Sequence, residues 1–228
     1  MSGPAGMLAL MQLSDSGLPI GRFVHSHGLE AWLKARDHVS ADELGELVEV
    51  VVAEAVAPLD GAVLVRAHRA HSVAELLSLD AQLSARKLTP SSRAASRTCG
   101  RSLAALAIQL APADALVAGF APIVRARETD GNLAVVEGTL ARALCILEGD
   151  AVLSALRSAA VGLLSAAVRL GVLPPFQAQV QLAALSPALT RACELAMTVD
   201  WEHVHSTAPE LELFAMRHAR AEARLFAT

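Results

Sequence analysis

A chain of 228 residues, 54% hydrophobic and only 18% charged, can bury one large core and is more apolar than soluble monomers usually are. Its net charge of −4 excludes a protein whose main task is gripping nucleic acid or an anionic membrane. Its cysteines, Cys99, Cys145 and Cys193, are odd in number and form no Cys-x-x-Cys pair, so a reduced, cytoplasmic setting is expected.

Helical signals run almost from end to end. Ala5 to Leu13 reads as a short apolar helix, stopped by the turn-rich SDSGLPIGR, and Phe23 to Lys34 reads as the next. Ser40 and Glu43 have the spacing of a capping box. Behind them Leu44, Leu47, Val48, Val51, Val52 and Ala55 fall on one helical face, which Pro58 is expected to close. Gly61 to His71 continues as helix, and Ser72 and Glu75 form a second capping box before Val73 to Lys87. The segment TPSS caps a helix running to Leu110, after which APADALVAGFAP and RETDGN read as loops. Leu133 to Leu147 is helical, with EGD as its break. Val152 to Leu170 follows, ended by Gly171 and Pro174-Pro175. Gln177 to Leu185, Pro187 to Val199 and Pro209 onward complete the series.

No stretch alternates with period two. The expected fold is therefore all-α, one domain over residues 1–228 with about ten packed helices. Residues 209–228, rich in Arg, His and Phe towards the end, read as a tail that orders on a partner. No Lys or Arg precedes Arg22, so the start lacks the basic region of a secretory signal. Ser102 to Val124 contains Pro112, Asp114 and Pro122 and reads as a buried helix followed by a loop, not as a membrane crossing.

The span Leu13 to Leu33, LSDSGLPIGRFVHSHGLEAWL, crowds Asp15, Ser16, His25, Ser26 and His27 together. On a helix His25 and His27 would point about 200° apart and could not share one ion. No His-Glu-x-x-His and no Gly-x-Ser-x-Gly elbow occurs, so Asp15, Ser16 and Ser26 read as caps and turn residues. The segment RAHRAH puts His68 and His71 on one helical face, read as a solvated basic patch. Arg93, Arg97 and Arg101 form a basic stripe that can pair with carboxylates of a partner or a neighbouring helix. The small residues between them allow close helix approach. No Gly-rich nucleotide fingerprint is present. These readings predict no enzyme, no cofactor and no resident metal. The alternative is a small-molecule enzyme or ligand-binding protein, with His25, Ser26 and Asp15 converging in a pocket.

The opening LMQLSDSGLPIGRFVHSHGLEAWL strongly resembles that of the UreF family of urease accessory proteins. The matching residues are Gln12, Leu13, Asp15, Ser16, Pro19, Gly21, Phe23, His25, Ser26, Gly28, Leu29 and Glu30. RAASRTCGRSLAAL is similar to the family's arginine-serine-glycine helix at Arg93, Ser96, Gly100 and Arg101. AAVRL matches from Ala166 to Leu170, with Gln179 downstream. The ending matches at Pro209, Met216, Arg217, His218, Arg224, Leu225 and Phe226. Two stretches depart. GNLAVVEG carries Asn132 and Glu137 where the family has a histidine and an aromatic residue. Pro174-Pro175 replaces Gly-Gln, which puts the local loop shape in doubt.

The resemblance implies an all-α protein that is not an enzyme, forms a homodimer and binds UreD (also called UreH). Together they recruit the GTPase UreG and deliver nickel to apo-urease. Arg217, His218, Arg224 and Phe226 would then be tail anchors, since Arg and aromatics dominate interface hot spots. Direct nickel binding by His25, His68, His71, His203 or His205 has no histidine-rich tail behind it.

Overall fold

The computed structural model describes residues 2–218 and 225–226, apart from the side chains of Phe23 and His218. Among the described residues the chain forms helices α1 (Pro4–Ser14), α2 (Leu29–Lys34), α3 (Ala41–Val51), α4 (Ala62–Arg69), α5 (Val73–Arg86) and α6 (Pro90–Leu110). After these come α7 (Ala115–Ala126), α8 (Leu133–Ala143), α9 (Glu148–Arg169), α10 (Pro175–Ala184), α11 (Ser186–Thr198) and α12 (Pro209–His218), with no strand among the described residues. The fold is all-α.

Side-chain caps start several of these helices. Ser40 Oγ accepts the Glu43 N–H at 3.2 Å while Glu43 Oε2 accepts the Ser40 N–H at 2.8 Å, so the capping box is complete. Ser72 caps the Glu75 N–H at 3.2 Å, but Glu75 reaches one residue further back, to the His71 N–H at 3.0 Å. Thr89 accepts the Ser92 N–H at 3.1 Å.

Three boundaries differ from the sequence expectation. Pro58 does not end the helix begun at Ala41. The chain passes through a π-helical segment, Val52–Gly61, and runs straight into α4. Proline offers no N–H to the helix, and its ring crowds the carbonyl four residues back, which is Glu54. That carbonyl accepts the Thr207 N–H at 2.9 Å, a donor from outside the helix. The loop expected over 111–122 is helix from Ala115, the start of α7, because Asp114 accepts the N–H groups of Leu116 and Val117 at 3.0 Å. The EGD segment starts α9 instead of breaking α8. Glu148 and Asp150 lie in its first turn, where negative charge suits the helix dipole, and the break sits at Leu144 to Leu147.

Helix α9 is the axis of the fold. It touches α1, α2, α3, the π segment, α4, α8, α10 and α11. By length and composition it could cross a membrane, yet Val152, Leu156, Ala160, Leu163, Leu164 and Ala167 are buried in the shared core. The expected loop within Ser102 to Val124 is mostly α7, which contributes Val117, Phe120, Ala121 and Val124 to the same core.

Candidate functional site

The Leu13–Leu33 stretch folds as turns around a short helix, not as one helix from Phe23. Asp15 ends α1 and its Oδ1 accepts the Gly17 N–H at 2.7 Å; Asp15, Ser16 and Pro19 are exposed. Gly21 (φ 81°), His27 (φ 52°) and Gly28 (φ 90°) are left-handed, which confines helical turns to Arg22–Val24 and then α2. Gly28 is also pressed against α12. A Cβ there would stand 2.5 Å from the Leu211 carbonyl oxygen and 2.7 Å from the Ala215 nitrogen.

These turns set the histidine geometry. His25 and His27 do not diverge on a helix; their ring centroids are 6.0 Å apart. Both face a cavity of about 230 Å³. One wall is the π segment, with Ala55, Val56 and Asp60. α6 and α9 add further walls, and Ala208, Leu211 and Ala215 lie across it from above. Two ion pairs line it. Arg22 pairs with Glu137 at 2.8 Å, and Lys87 pairs with Asp60 at 2.7 Å. Among the described residues no group of three or more His, Cys, Asp or Glu is placed to hold a metal ion.

Burial lowers the His25 imidazole pKa. His27 is exposed by area, but it lies on the cavity wall, ringed by protein. Desolvation pushes its pKa down to about 4; His25 and the Lys87 ammonium add to the fall, and Asp60 opposes it. Burial pushes the Cys99 thiol up to about 11, which makes it a poor nucleophile. Burial raises Glu212, against a hydrogen bond from Ser206. Ser26 is fully buried, and Asp15 does not line the cavity. The structure therefore does not bring Asp15, His25 and Ser26 into one pocket.

The same stretch seats the C-terminal segment. Glu30 is 1% exposed and accepts the N–H groups of Leu225 and Phe226 at 3.1 Å, together with the Lys34 ammonium at 2.7 Å. Burial alone would raise its carboxyl pKa. The Lys34 bond and the two amide donors outweigh it and hold the group below the ordinary glutamate value. Phe226 is buried, with the Arg169 guanidinium 4.5 Å from its ring centre. Glu210 on α12 accepts Trp32 Nε1 at 3.0 Å and Arg36 at 2.5 Å, and Arg36 stacks on Trp32 at 3.8 Å. Arg217 lies 5.3 Å from the Phe214 ring centre. Arg224 and the side chains of Phe23 and His218 lie outside the described residues.

The basic stripe divides. Arg93 donates to the backbone carbonyls of Lys87 and Leu88, while Arg97 meets a carboxylate of its own chain, Asp130, at 2.8 Å. Arg101 has a buried Nε without a hydrogen-bond partner among the described residues. Gly100 lets α6 cross the start of α8, since a Cβ there would collide with the Gly131 carbonyl oxygen. His68 and His71 do not share a helical face, because α4 ends at Arg69 and Ala70 is extended. His68 Nε2 instead meets the Ile146 carbonyl at 2.8 Å. Gln179 is exposed on α10, beside a second cavity of about 220 Å³.

Both departures have physical partners. Asn132 is fully buried, and its amide donates to Asp80 and to Ser84, each at 2.8 Å. Glu137 takes Arg22. Pro174 caps α10 and Pro175 fills its first position, where no N–H is needed. Sequence reasoning missed Arg22, Asp60, Asp80 and Lys87. Only Asp80 left a trace, as a charge four residues after Leu76 on a buried stripe.

The sequence model of the UreF family matches residues 38–186, well over half of the chain. The chain belongs to the UreF family. Its relatives include proteins named urease accessory protein UreF from Corynebacterium efficiens (29% identical, covering 96% of this chain and 95% of the relative) and Kocuria rhizophila (30%, covering 97% of each). A third, from Haemophilus influenzae, is 30% identical over 96% of this chain and 94% of the relative. The family match begins after the Leu13–Leu33 stretch, but these relatives align over nearly the whole chain. In this UreF-family fold, that stretch forms one side of the cavity and the seat of α12.

Proposed function

We propose that this chain is a cytoplasmic urease accessory scaffold. On this reading it binds UreD (UreH), recruits the GTPase UreG and serves nickel delivery to apo-urease without catalysing a step itself. The observation that carries the reading, beside family membership, is the C-terminal surface. α12 and residues 225–226 rest on Gly28, Glu30 and Trp32 of the signature stretch and on Arg36 just beyond it. They turn Leu213 (57% exposed), Met216 and Leu225 outward. An apolar face held in place by polar contacts behind it is what a partner buries. Helix α10 supports a homodimer. It carries no charge and exposes Phe176 (80%) and Val180 one turn apart.

Pull-down with UreD tests the first claim. Truncation after Trp201 and the surface pair Leu213→Asp/Met216→Asp are both expected to lose UreD. Full-affinity capture by the folded surface variant refutes the reading. UreG turnover with and without the complex tests recruitment, and an unchanged rate removes any GTPase modulation. Phe176→Asp should leave a monomer in analytical ultracentrifugation.

A further inference from the structure

We propose that the cavity under α12 is a binding site for a small uncharged molecule with an apolar body and one hydrogen-bonding head. This site is separate from the scaffold surfaces proposed above.

The cavity's volume of about 230 Å³ would hold about eight water molecules at their liquid volume of ~30 Å³ each. Its walls suit water poorly. Leu64, Leu133, Leu156, Ala159, Gly162 and Leu163 line much of it and offer few hydrogen bonds. The apolar wall is left without close-packed neighbours, and the body of an apolar ligand would bury it. Gly162 shows the room directly, since a Cβ built there meets no atom within 4 Å.

The charges in the wall select the head group. Arg22 already has Glu137 and Lys87 already has Asp60, at 2.8 and 2.7 Å. An anion entering the cavity would have to displace Glu137 or Asp60 from its partner, and the further carboxylate in the wall, Glu212, invites a cation poorly because burial disfavours its charged form. A hydroxyl or amide head displaces neither carboxylate, and it can use the neutral His27 ring or the Thr89, Ser91 and Ser92 side chains nearby. Ala208 and, on α12, Leu211 and Ala215 lie over the space, which leaves room for a small molecule and not for an inserted chain segment.

The test uses the full chain and three probes with one body: hexanol, hexanoate and hexylammonium. Methyl and imidazole NMR should show saturable shifts for hexanol at Leu163, Leu211 and His27. Each ion should bind at least about tenfold more weakly. Gly162→Met, which fills the open space, should abolish the hexanol shifts. Ala159→Met is a second filling variant, and the wild-type shift map needs neither variant to fold. The proposal is overturned by equal binding of all three probes, by the absence of saturable binding, by shifts confined to residues outside the cavity, or by hexanol binding that survives in a folded filling variant.

Discussion

Asp80 offers the sharpest test of how this fold is held. Its carboxylate is fully buried on α5 and gathers the loop before α8. It accepts the Thr129 hydroxyl at 2.6 Å, the Gly131 N–H at 2.8 Å, the Asn132 N–H at 2.7 Å and the Asn132 amide at 2.8 Å. Asp80→Ala removes the acceptor and leaves two buried backbone N–H groups stranded. Each such donor costs about 1–3 kcal/mol, so the variant should lose about 4 kcal/mol of stability. For a chain of this size that is a fall in Tm of about 8–16 °C. Urea unfolding should show a lower midpoint with an unchanged slope. Asn132→Ala should cost less in the Asp80→Ala background than alone, because the two residues share one network. A loss under about 1 kcal/mol for Asp80→Ala would refute this role and show that water or a loop shift replaces the carboxylate.

Three further outcomes follow from the signature stretch and the first long helix. Gly28→Ala should undock α12, seen as lost hydrogen-exchange protection over 209–218 while α9 stays protected; equal protection in both proteins contradicts the close approach. His27 should titrate near 4 in the folded chain, against 6.5 unfolded. Because the unfolded chain binds the proton first, this stability contribution is whole above 6.5 and shrinks as pH falls towards 4. An imidazole NMR midpoint at or above 6.5 disproves it. Ser40→Ala should cost about 1 kcal/mol by urea unfolding, since it breaks the capping box.

Glu30 works with the opposite sign to His27. Its folded pKa is depressed, so its hold on Leu225 and Phe226 is complete above the ordinary glutamate value and fades as pH falls through the lower folded one. The C-terminal segment and the cavity thus respond to acid through different groups. His27 opposes protonation because protein surrounds it. Glu30 opposes it because three donors satisfy its charge.

Where local chemistry decides structure, the sequence was readable. Ser40, Ser72 and Thr89 announced helix starts because a cap needs only residues three apart. The apolar face from Leu44 onward and the end of α9 at Gly171 were legible for the same reason. Pro58 misled, because the helix passes it as a π segment and the Glu54 carbonyl that its ring crowds finds a donor in Thr207, far along the chain. The His25–His27 relation misled as well. Glycine at 21 and 28 permits a left-handed backbone but does not require it, and the packing of α12 against Gly28 is what demands it. The sequence by itself determined an all-α fold, the family and most helix boundaries, since periodicity and caps act within a few residues. Tertiary structure alone decided that the signature stretch seats the C-terminal segment, and that Arg22 and Glu137, Lys87 and Asp60 meet around one cavity. Those pairings join residues 115 and 27 positions apart, and no local pattern encodes which distant charges the packing of helices will bring together.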